Sequence, residues 1–351
     1  MAGIGAAITA SWLAFTEYRL LVDPVFPALV VLLVYLAGSL INYLRSEIER
    51  NQVRGAFSRY MSPALVEELA RNPDKLVLGG EMKDMTLLFA DMRGFTAISE
   101  QFKGDPTGLM SLINRFLTPM SDLILDRSGT IDKYMGYCIK AFWNAPLNDT
   151  EHGRHACASA LAMFGALDAL NAEIKTERET AGELYRPINI GIGLNSGECC
   201  VGNMGSEKRF DYSLLGDTVN LAARLEGQSK TYGVGIVIGE TTRAEAPKYA
   251  CLELDLIKVK GKDEAVRIYT LLGDAAYLEG AEFGALAERH AAMLEAYRGQ
   301  NWARARECLA ECRTLDGALD KFYDLYAERL DVFEADPPGA DWDGVFVATS
   351  K

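Results

Sequence analysis

The sequence predicts an α+β domain set between an apolar N-terminal hairpin and a small helical appendage, and three observations predict it. From about Lys83 to Gly273, short runs rich in Val, Ile and Leu alternate with segments of helical period, as a compact α+β domain requires. Ahead of them, Pro24 to Leu44 carries no charge and is rich in Val and Leu. Beyond Asp274 the pattern is helical only. The expected division is residues 1–44 as a membrane hairpin, 45–80 as linker helices, 81–273 as the α+β domain and 274–351 as the helical appendage and tail.

The hairpin follows from length. Pro24 to Leu44 matches the roughly 20 apolar residues that a spanning helix needs. Met1 to Thr16 is also uncharged but shorter, and Glu17, Arg19 and Asp23 supply a polar turn between the two. This stretch lacks the basic start of a signal peptide and is followed at once by the better span. Arg45, Arg50, Arg54 and Arg59 follow the second helix, which assigns that side to the cytoplasm by the positive-inside tendency. From Ile41 onward, Leu44, Ile48, Val53, Phe57 and Tyr60 recur at uneven helical steps, so an amphipathic linker helix and a dimeric coiled coil both fit. Ser62-Pro63 then opens a helix that stops at Asn72-Pro73.

In the central region, Met85 to Asp91 reads as a strand and Thr107 to Arg127 as a helix. Thr130 to Trp143 reads as a hairpin turning at Gly136-Tyr137, and Glu151 to about Lys175 as a second helix. Strands are expected at Ile188 to Leu194, Glu198 to Gly202, Gly235 to Ile238 and within Leu252 to Leu272, with a helix from Asp217 to Thr231. At the C-terminus, Phe283 to Arg298 and Trp302 to Arg313 form two helices about Gly299-Gln300-Asn301. The Tyr297, Trp302 and Ala305 spacing is similar to half of a tetratricopeptide hairpin, and a single copy cannot build a solenoid.

Composition excludes some functions. The chain has 351 residues and a formal net charge of −13, which argues against a general nucleic-acid binder because such proteins need a basic surface to neutralise phosphates. Anionic substrates must be met by a few placed cations. The seven cysteines are odd in number and show no repeating spacing, so they read as thiols in a reducing cytosol. Cys199-Cys200 and Cys308/Cys312 read as packing, and His152 with His155 as a surface stripe one helical turn apart.

Two segments carry chemistry. Leu87-Leu88-Phe89-Ala90-Asp91 ends a strand in a carboxylate, and Met92-Arg93-Gly94-Phe95-Thr96 then leads into a helix whose first amides can cradle phosphate oxygens. Far downstream, Gly216-Asp217-Thr218-Val219-Asn220-Leu221-Ala222-Ala223-Arg224 puts an amide and a guanidinium one helical turn apart. Such donors on a rigid element suit a transition state that gains negative charge. Lys133 stands on a hairpin strand rich in apolar residues, and Lys260 in Val259-Lys260-Gly261-Lys262 adds a cation at a turn. Each has a plainer role open to it: Asp217 as a helix cap, and the two lysines as guards of strand edges.

The Phe-x-Asp-x-Arg-Gly-Phe-Thr and Gly-Asp-x-Val-Asn-x-x-x-Arg patterns, in this order, resemble those of the class III nucleotide cyclases. The chain resembles in particular bacterial membrane-bound members in which an extracytoplasmic CHASE-type sensor precedes membrane helices and a cyclase domain. The sensor is not among these residues, and the expectation is a short version or a fragment of that architecture. The resemblance implies a ferredoxin-like catalytic domain, active as a head-to-tail dimer with each site at the interface. It implies that Asp91 and the carbonyl of Met92 hold Mg²⁺ or Mn²⁺, and that Phe95 and Thr96 bind phosphates through backbone amides. From the other chain, Lys133 and Ser213 would read the base, Asn220 would orient the ribose, and Arg224 and Lys260 would neutralise phosphates, joined by Lys208. A lysine with a hydroxyl residue fits the adenine readers of the family rather than the guanine readers. The implied activity is that of an adenylate cyclase, a phosphorus–oxygen lyase that makes cyclic AMP from ATP for intracellular signal transduction at the inner membrane.

One position departs from the pattern. The family has Gly-Asp at the hairpin turn, and this chain has Gly136-Tyr137. Two-metal chemistry relies on carboxylates shared between the ions, and a neutral phenol is a poor and bulky substitute. Lys140, where an apolar strand residue is expected, is read as a positive charge beside the missing carboxylate. The alternative reading is therefore a catalytically impaired pseudo-cyclase that binds nucleotide or a partner cyclase. In a heterodimer the partner would supply both Asp ligands.

Overall fold

The computed structural model describes residues 2–20, 22–57, 79–206, 209–258, 265–315, 317–339 and 341–347. The chain divides into two compact units, Met1–Val66 and Glu67–Lys351. In the first, α1 (Ala2–Tyr18) and α2 (Val25–Phe57) are continuous helices. Asp23 opens α2 by accepting from the Val25 amide at 2.8 Å. Val25–Arg45 has a mean hydropathy of 2.2 with none of it buried, so Leu32, Val34, Leu36 and Ile41 lie exposed. A helix of this length and composition can cross a bilayer. The helix expected after Ser62-Pro63 lies outside the described residues.

In the second unit the α+β expectation holds. β1 (Gly79–Arg93), α3 (Phe95–Ser99), α4 (Pro106–Leu125), β2 (Thr130–Met135), β3 (Cys138–Trp143), α5 (His152–Ala181) and β4 (Asn189–Ser206) come in that order. The strand order β2-β3-β1-β4 within this run is the ferredoxin-like arrangement. β5 (Arg209–Leu215) pairs with the far end of β4 and leads into α6 (Asp217–Thr231). The sheet continues beyond β4 through β6 (Ile236–Gly239), β8 (Val266–Gly273), β7 (Ala250–Lys258) and the short β9 (Phe346–Val347), with α7 (Glu240–Glu245) between β6 and β7.

Alternation along β1 sorts its side chains to two faces. Leu88, Ala90 and Met92 join Phe116, Met120 and Ile124 of α4 and Ala160, Met163 and Leu167 of α5 in one core. Met85, Leu87 and Phe89 face the other way, with Val219 and Ala222 of α6. That helix lies flush on β4: a β-carbon at Gly193 would sit 2.2 Å from the Glu226 nitrogen and 2.4 Å from the Ala222 oxygen. Only glycine permits this approach.

Several elements differ from the sequence reading. The strands expected at 188–194 and 198–202 are one continuous β4, because Gly197 keeps the ladder to β1 unbroken (Met85↔Gly197). Residues 209–215 form a strand that alternation did not reveal. The appendage contains α8 (Ala275–Leu278), α9 (Ala281–Arg298) and α10 (Trp302–Leu315), together with a further helix, α11 (Asp320–Ala335). It packs against the domain itself: Phe283, Leu294, Phe322 and Tyr326 share a core with Leu225 of α6 and Leu252, Leu254 and Ile268 of the sheet. A buried ion pair, Arg329 to Asp255 at 2.7 Å, and the Tyr232 hydroxyl donating to the same carboxylate at 2.7 Å tie α11 to β7 and to the end of α6.

Candidate active site

Asp91 lies near the end of β1, on the face covered by α6. Its Oδ1 is buried and has no hydrogen-bond partner among the described residues. Burial raises the acid's pKa, opposed by a hydrogen bond from the Met92 backbone. Immediately after β1, Gly94 takes φ 66°, a left-handed conformation suited to glycine, and starts α3. The first helical bond runs from the Ala97 amide to the Gly94 carbonyl at 3.0 Å, so the Phe95 and Thr96 amides have no intrahelical acceptor. Phe95 is half-buried and Thr96 exposed. Arg93 turns inward, donating to Ser229 Oγ at 2.7 Å and the Val234 carbonyl at 2.5 Å, and so fastens β1 to the last turn of α6.

Glu226 is a member of this site that sequence reasoning missed. Burial and the neighbouring Asp91 push its pKa up to about 7, against the pull of Arg93. Its Oε1 lies 2.7 Å from where a β-carbon on Gly191 would sit, and Gly191 is the ladder partner of Asp91. Cys138 faces the same two acids; burial first, then Asp91 and Glu226, push its thiol up to about 12. The available signal was an acid at the helical spacing of Ala222 and Ser229, the inner stripe of α6.

Tyr137 stacks on Phe95, with ring centroids 4.1 Å apart and planes 26° from parallel. The residue standing at the expected second carboxylate is thus turned onto the start of α3, as half of an aromatic pair. Lys140 does not lie free beside that position. It is buried, and its ammonium is 2.6 Å from Asp132 Oδ2. The reason is register: Lys140 is the ladder partner of both Phe89 and Lys133, which puts it on the α6 face of the hairpin beside Asp132.

Lys133 and Ser213 meet at the same acid. Ser213 Oγ donates to Asp132 Oδ2 at 3.0 Å, and the exposed Lys133 ammonium is 3.6 Å from Oδ1. Asn220 and Arg224 are both exposed on the outward side of α6. Arg224 and Glu226 are two residues apart, about 200° around the helix, so the side of α6 that meets Asp91 is not the side that carries Asn220 and Arg224. One chain therefore does not bring Asp91 together with those donors. Asp217 stands exposed in the first turn of α6, and Gly216, not Asp217, occupies the cap position. Lys208 and Lys260 lie outside the described residues.

The two histidines are not a surface stripe. His155 is half-buried, 2.8 Å from Asp149. His152 is buried, and Asp84, His152 and Glu245 bring ligand-type atoms within 4.8 Å of one another. Hydroxyls occupy this cluster: Thr86 Oγ1 is 2.7 Å from His152 Nδ1, 2.7 Å from Ser196 Oγ and 3.3 Å from Glu245 Oε2. Its evident work is to join α5 and α7 to β1, seven residues along the strand from Asp91.

Residues 79–273 match the family described as "Adenylate and Guanylate cyclase catalytic domain". Adenylate cyclase 1 of Rhizobium meliloti (strain 1021) is 32% identical over 206 residues, covering 58% of this chain and 30% of that protein. The adenylate cyclase of Anabaena cylindrica is 34% identical over 220 residues, covering 61% of this chain and 42% of that protein. The chain thus spans less than half the length of either curated relative. A solved bacterial light-regulated adenylyl cyclase superposes with a TM-score of 0.55 at 23% identity, covering 66% of this chain and 65% of that one, a likeness of fold.

Proposed function

Because the chain belongs to the adenylate and guanylate cyclase catalytic-domain family, we propose that it is a membrane-anchored adenylate cyclase that converts ATP to 3′,5′-cyclic AMP and pyrophosphate in intracellular signal transduction. The ribose 3′-oxygen attacks the α-phosphorus in line, a new O–P bond forms, the bond to the β-phosphate oxygen breaks, and pyrophosphate leaves. The observation that carries this reading is the division of the site: Asp91 and the start of α3 sit apart from Asn220 and Arg224, which α6 holds outward. Two chains set head to tail would complete it.

Asp91 and the Met92 carbonyl are the residues that would hold Mg²⁺ or Mn²⁺. The buried, unpartnered Oδ1 suits one such ion, and a bound cation supplies positive charge at the 3′-oxygen and the phosphates. The Phe95 and Thr96 amides take phosphate oxygens, Asn220 orients the ribose, and Arg224 opposes the charge that grows on the phosphates, with Lys208 and Lys260 as further cations. Lys133 and Ser213 read adenine. Val25–Arg45 anchors the chain in the bacterial inner membrane, and the arginines that follow keep the catalytic domain cytoplasmic. The helix beyond Arg45 relays the signal, and 274–351 is the appendage.

A second reading has its own observation. With Tyr137 stacked on Phe95 there is no carboxylate at the second metal position, which favours an impaired homodimer that regulates, or that works with a partner chain carrying both acids. The test is cyclic AMP formation from ATP with Mn²⁺ by the full chain and its Tyr137→Asp variant. A gain of at least about 100-fold in the variant is expected, the scale on which single transition-state contacts act. Equal turnover in both would refute the impairment, and failure of both to bind ATP would refute the cyclase reading.

A further inference from the structure

We propose that Asp132 is a positioning residue that makes the base pocket prefer adenine over guanine by fixing the direction of the Ser213 hydroxyl. This rests on the reading of Lys133 and Ser213 as base contacts. Asp132 is the extra residue of a bulge in β2: the ladder passes from Ile131↔Ala141 directly to Lys133↔Lys140. A bulge re-aims a side chain, and here it turns the carboxylate into the α6 face of the hairpin, where its side chain is fully buried. Ser213 Oγ and Lys140 Nζ both reach Oδ2, at 3.0 and 2.6 Å. Oδ1 has no hydrogen-bond partner among the described residues and points toward Lys133, whose ammonium is 3.6 Å away.

A carboxylate only accepts hydrogen bonds, and a serine hydroxyl has a single proton. With that proton committed to Oδ2, Ser213 can offer only lone pairs to a base. The pocket then presents an acceptor, Ser213, beside a donor, Lys133. Adenine carries an amino donor at the position where guanine carries a carbonyl acceptor. The adenine edge, amino donor next to a ring-nitrogen acceptor, complements this pair. Guanine would set its carbonyl oxygen against the lone pairs of Ser213. Lys140 keeps the carboxylate in place, since a buried acid without a counter-ion is strongly disfavoured. The lysine that breaks the apolar pattern of β3 is thereby explained without reference to Tyr137.

The experiment measures competition of ATP and GTP against a fluorescent ATP analogue on the full chain in lipid nanodiscs. The wild type is expected to prefer ATP. Asp132→Leu/Lys140→Met replaces the ion pair with apolar side chains of similar size, an exchange that buried pairs tolerate. It frees the hydroxyl to donate, and the ATP-to-GTP preference is expected to fall about tenfold, the cost of one mismatched hydrogen bond. Asp132→Asn, which keeps an acceptor facing both Lys140 and Ser213, is expected to retain the preference. Ser213→Ala added to the double variant is expected to change the ratio no further. If the double variant does not fold, Asp132→Ala is read in its place. An unchanged ratio in the variants lacking the acid, while Ser213→Ala and Lys133→Ala do shift it, overturns the inference and leaves the base reading standing. A ratio unmoved by Ser213→Ala and Lys133→Ala, or a wild type that binds neither nucleotide, overturns both.

Discussion

Acidification should loosen the C-terminal helices from the sheet, because His290 is held as a neutral imidazole. The ring is 2% exposed on α9; its Nε2 donates to the Glu253 carbonyl at 2.6 Å and its Nδ1 lies 3.1 Å from the Tyr323 hydroxyl. It also stacks on Phe322, with centroids 5.2 Å apart. Burial pushes its pKa down from 6.5 to about 4, outweighing the hydrogen bond to Glu253. Above pH 6.5 neither state is protonated and the contribution to stability is complete. Below it the unfolded chain takes up a proton that the folded chain refuses, at about 1.4 kcal/mol per pH unit, until the folded ring titrates near pH 4. Over the whole window about 3 kcal/mol is lost, with about 2 kcal/mol of it between roughly pH 7 and pH 5. The assay is urea unfolding of the full chain in detergent, followed by tryptophan fluorescence, for the wild type and His290→Gln, each carrying Trp12→Phe and Trp143→Phe so that Trp302 and Trp342 report. Carboxylates common to both proteins cancel in the difference. A wild-type minus variant stability that stays constant from pH 7 to pH 5 would refute the argument.

Other outcomes follow from the same packing. Gly193→Ala should lift α6 from β4 and lower stability by roughly 1–3 kcal/mol, the usual cost of overpacking, read as a lower urea midpoint and weaker nucleotide binding. Asp255→Asn breaks the buried pair with Arg329 and should cost about 3–5 kcal/mol, with the denaturant slope unchanged. Glu226 is raised to about 7, so its contribution to stability is complete below the ordinary glutamate range and is lost as pH rises through 7; Glu226→Gln should therefore stabilise the protein at alkaline pH and leave it little changed in acid, by thermal unfolding. Arg224→Ala should lower ATP affinity or turnover without moving the unfolding midpoint, because the side chain is exposed and clear of the core.

Local signals carried much of this architecture into the sequence. The run from Leu87 to Asp91, the Gly136 turn and the helix from Asp217 to Thr231 were legible because alternation, a turn residue and helical period each operate over a few neighbours. What escaped depends on contacts distant in sequence. The special place of Asp132 is one such case, since a bulge is visible only once β2 is laid against β3. The partner of Lys140, Asp132, is hidden for the same reason: register chooses the face of the lysine, and register is a property of paired strands. Glu226 lies two residues from Arg224, which on a helix is nearly the opposite side, so its place beside Asp91 shows only once α6 is laid on β4. The continuity of β4 across Gly197 was hidden because glycine and serine in a strand resemble a turn until a partner strand satisfies their backbone.

The appendage bears on how α6 can serve a site shared between chains. Donors that meet a developing charge are useful only if they are held before it develops, and Asn220 and Arg224 project from a helix with little of its own support on their side. The inner side compensates at three points. Gly193 lets the helix backbone rest on β4, Arg93 clamps Ser229 in the last turn, and the Tyr232 hydroxyl reaches the buried Asp255, which Arg329 of α11 neutralises. The third clamp depends on residues beyond the strands of the catalytic fold. Loss of α11 would leave the Asp255 carboxylate in the core without the Arg329 charge, held by the Tyr232 hydroxyl and the Leu256 amide. The C-terminal helices are therefore part of the platform under α6, and on the proposed function Arg329→Met should weaken ATP binding, measured by competition with a fluorescent ATP analogue.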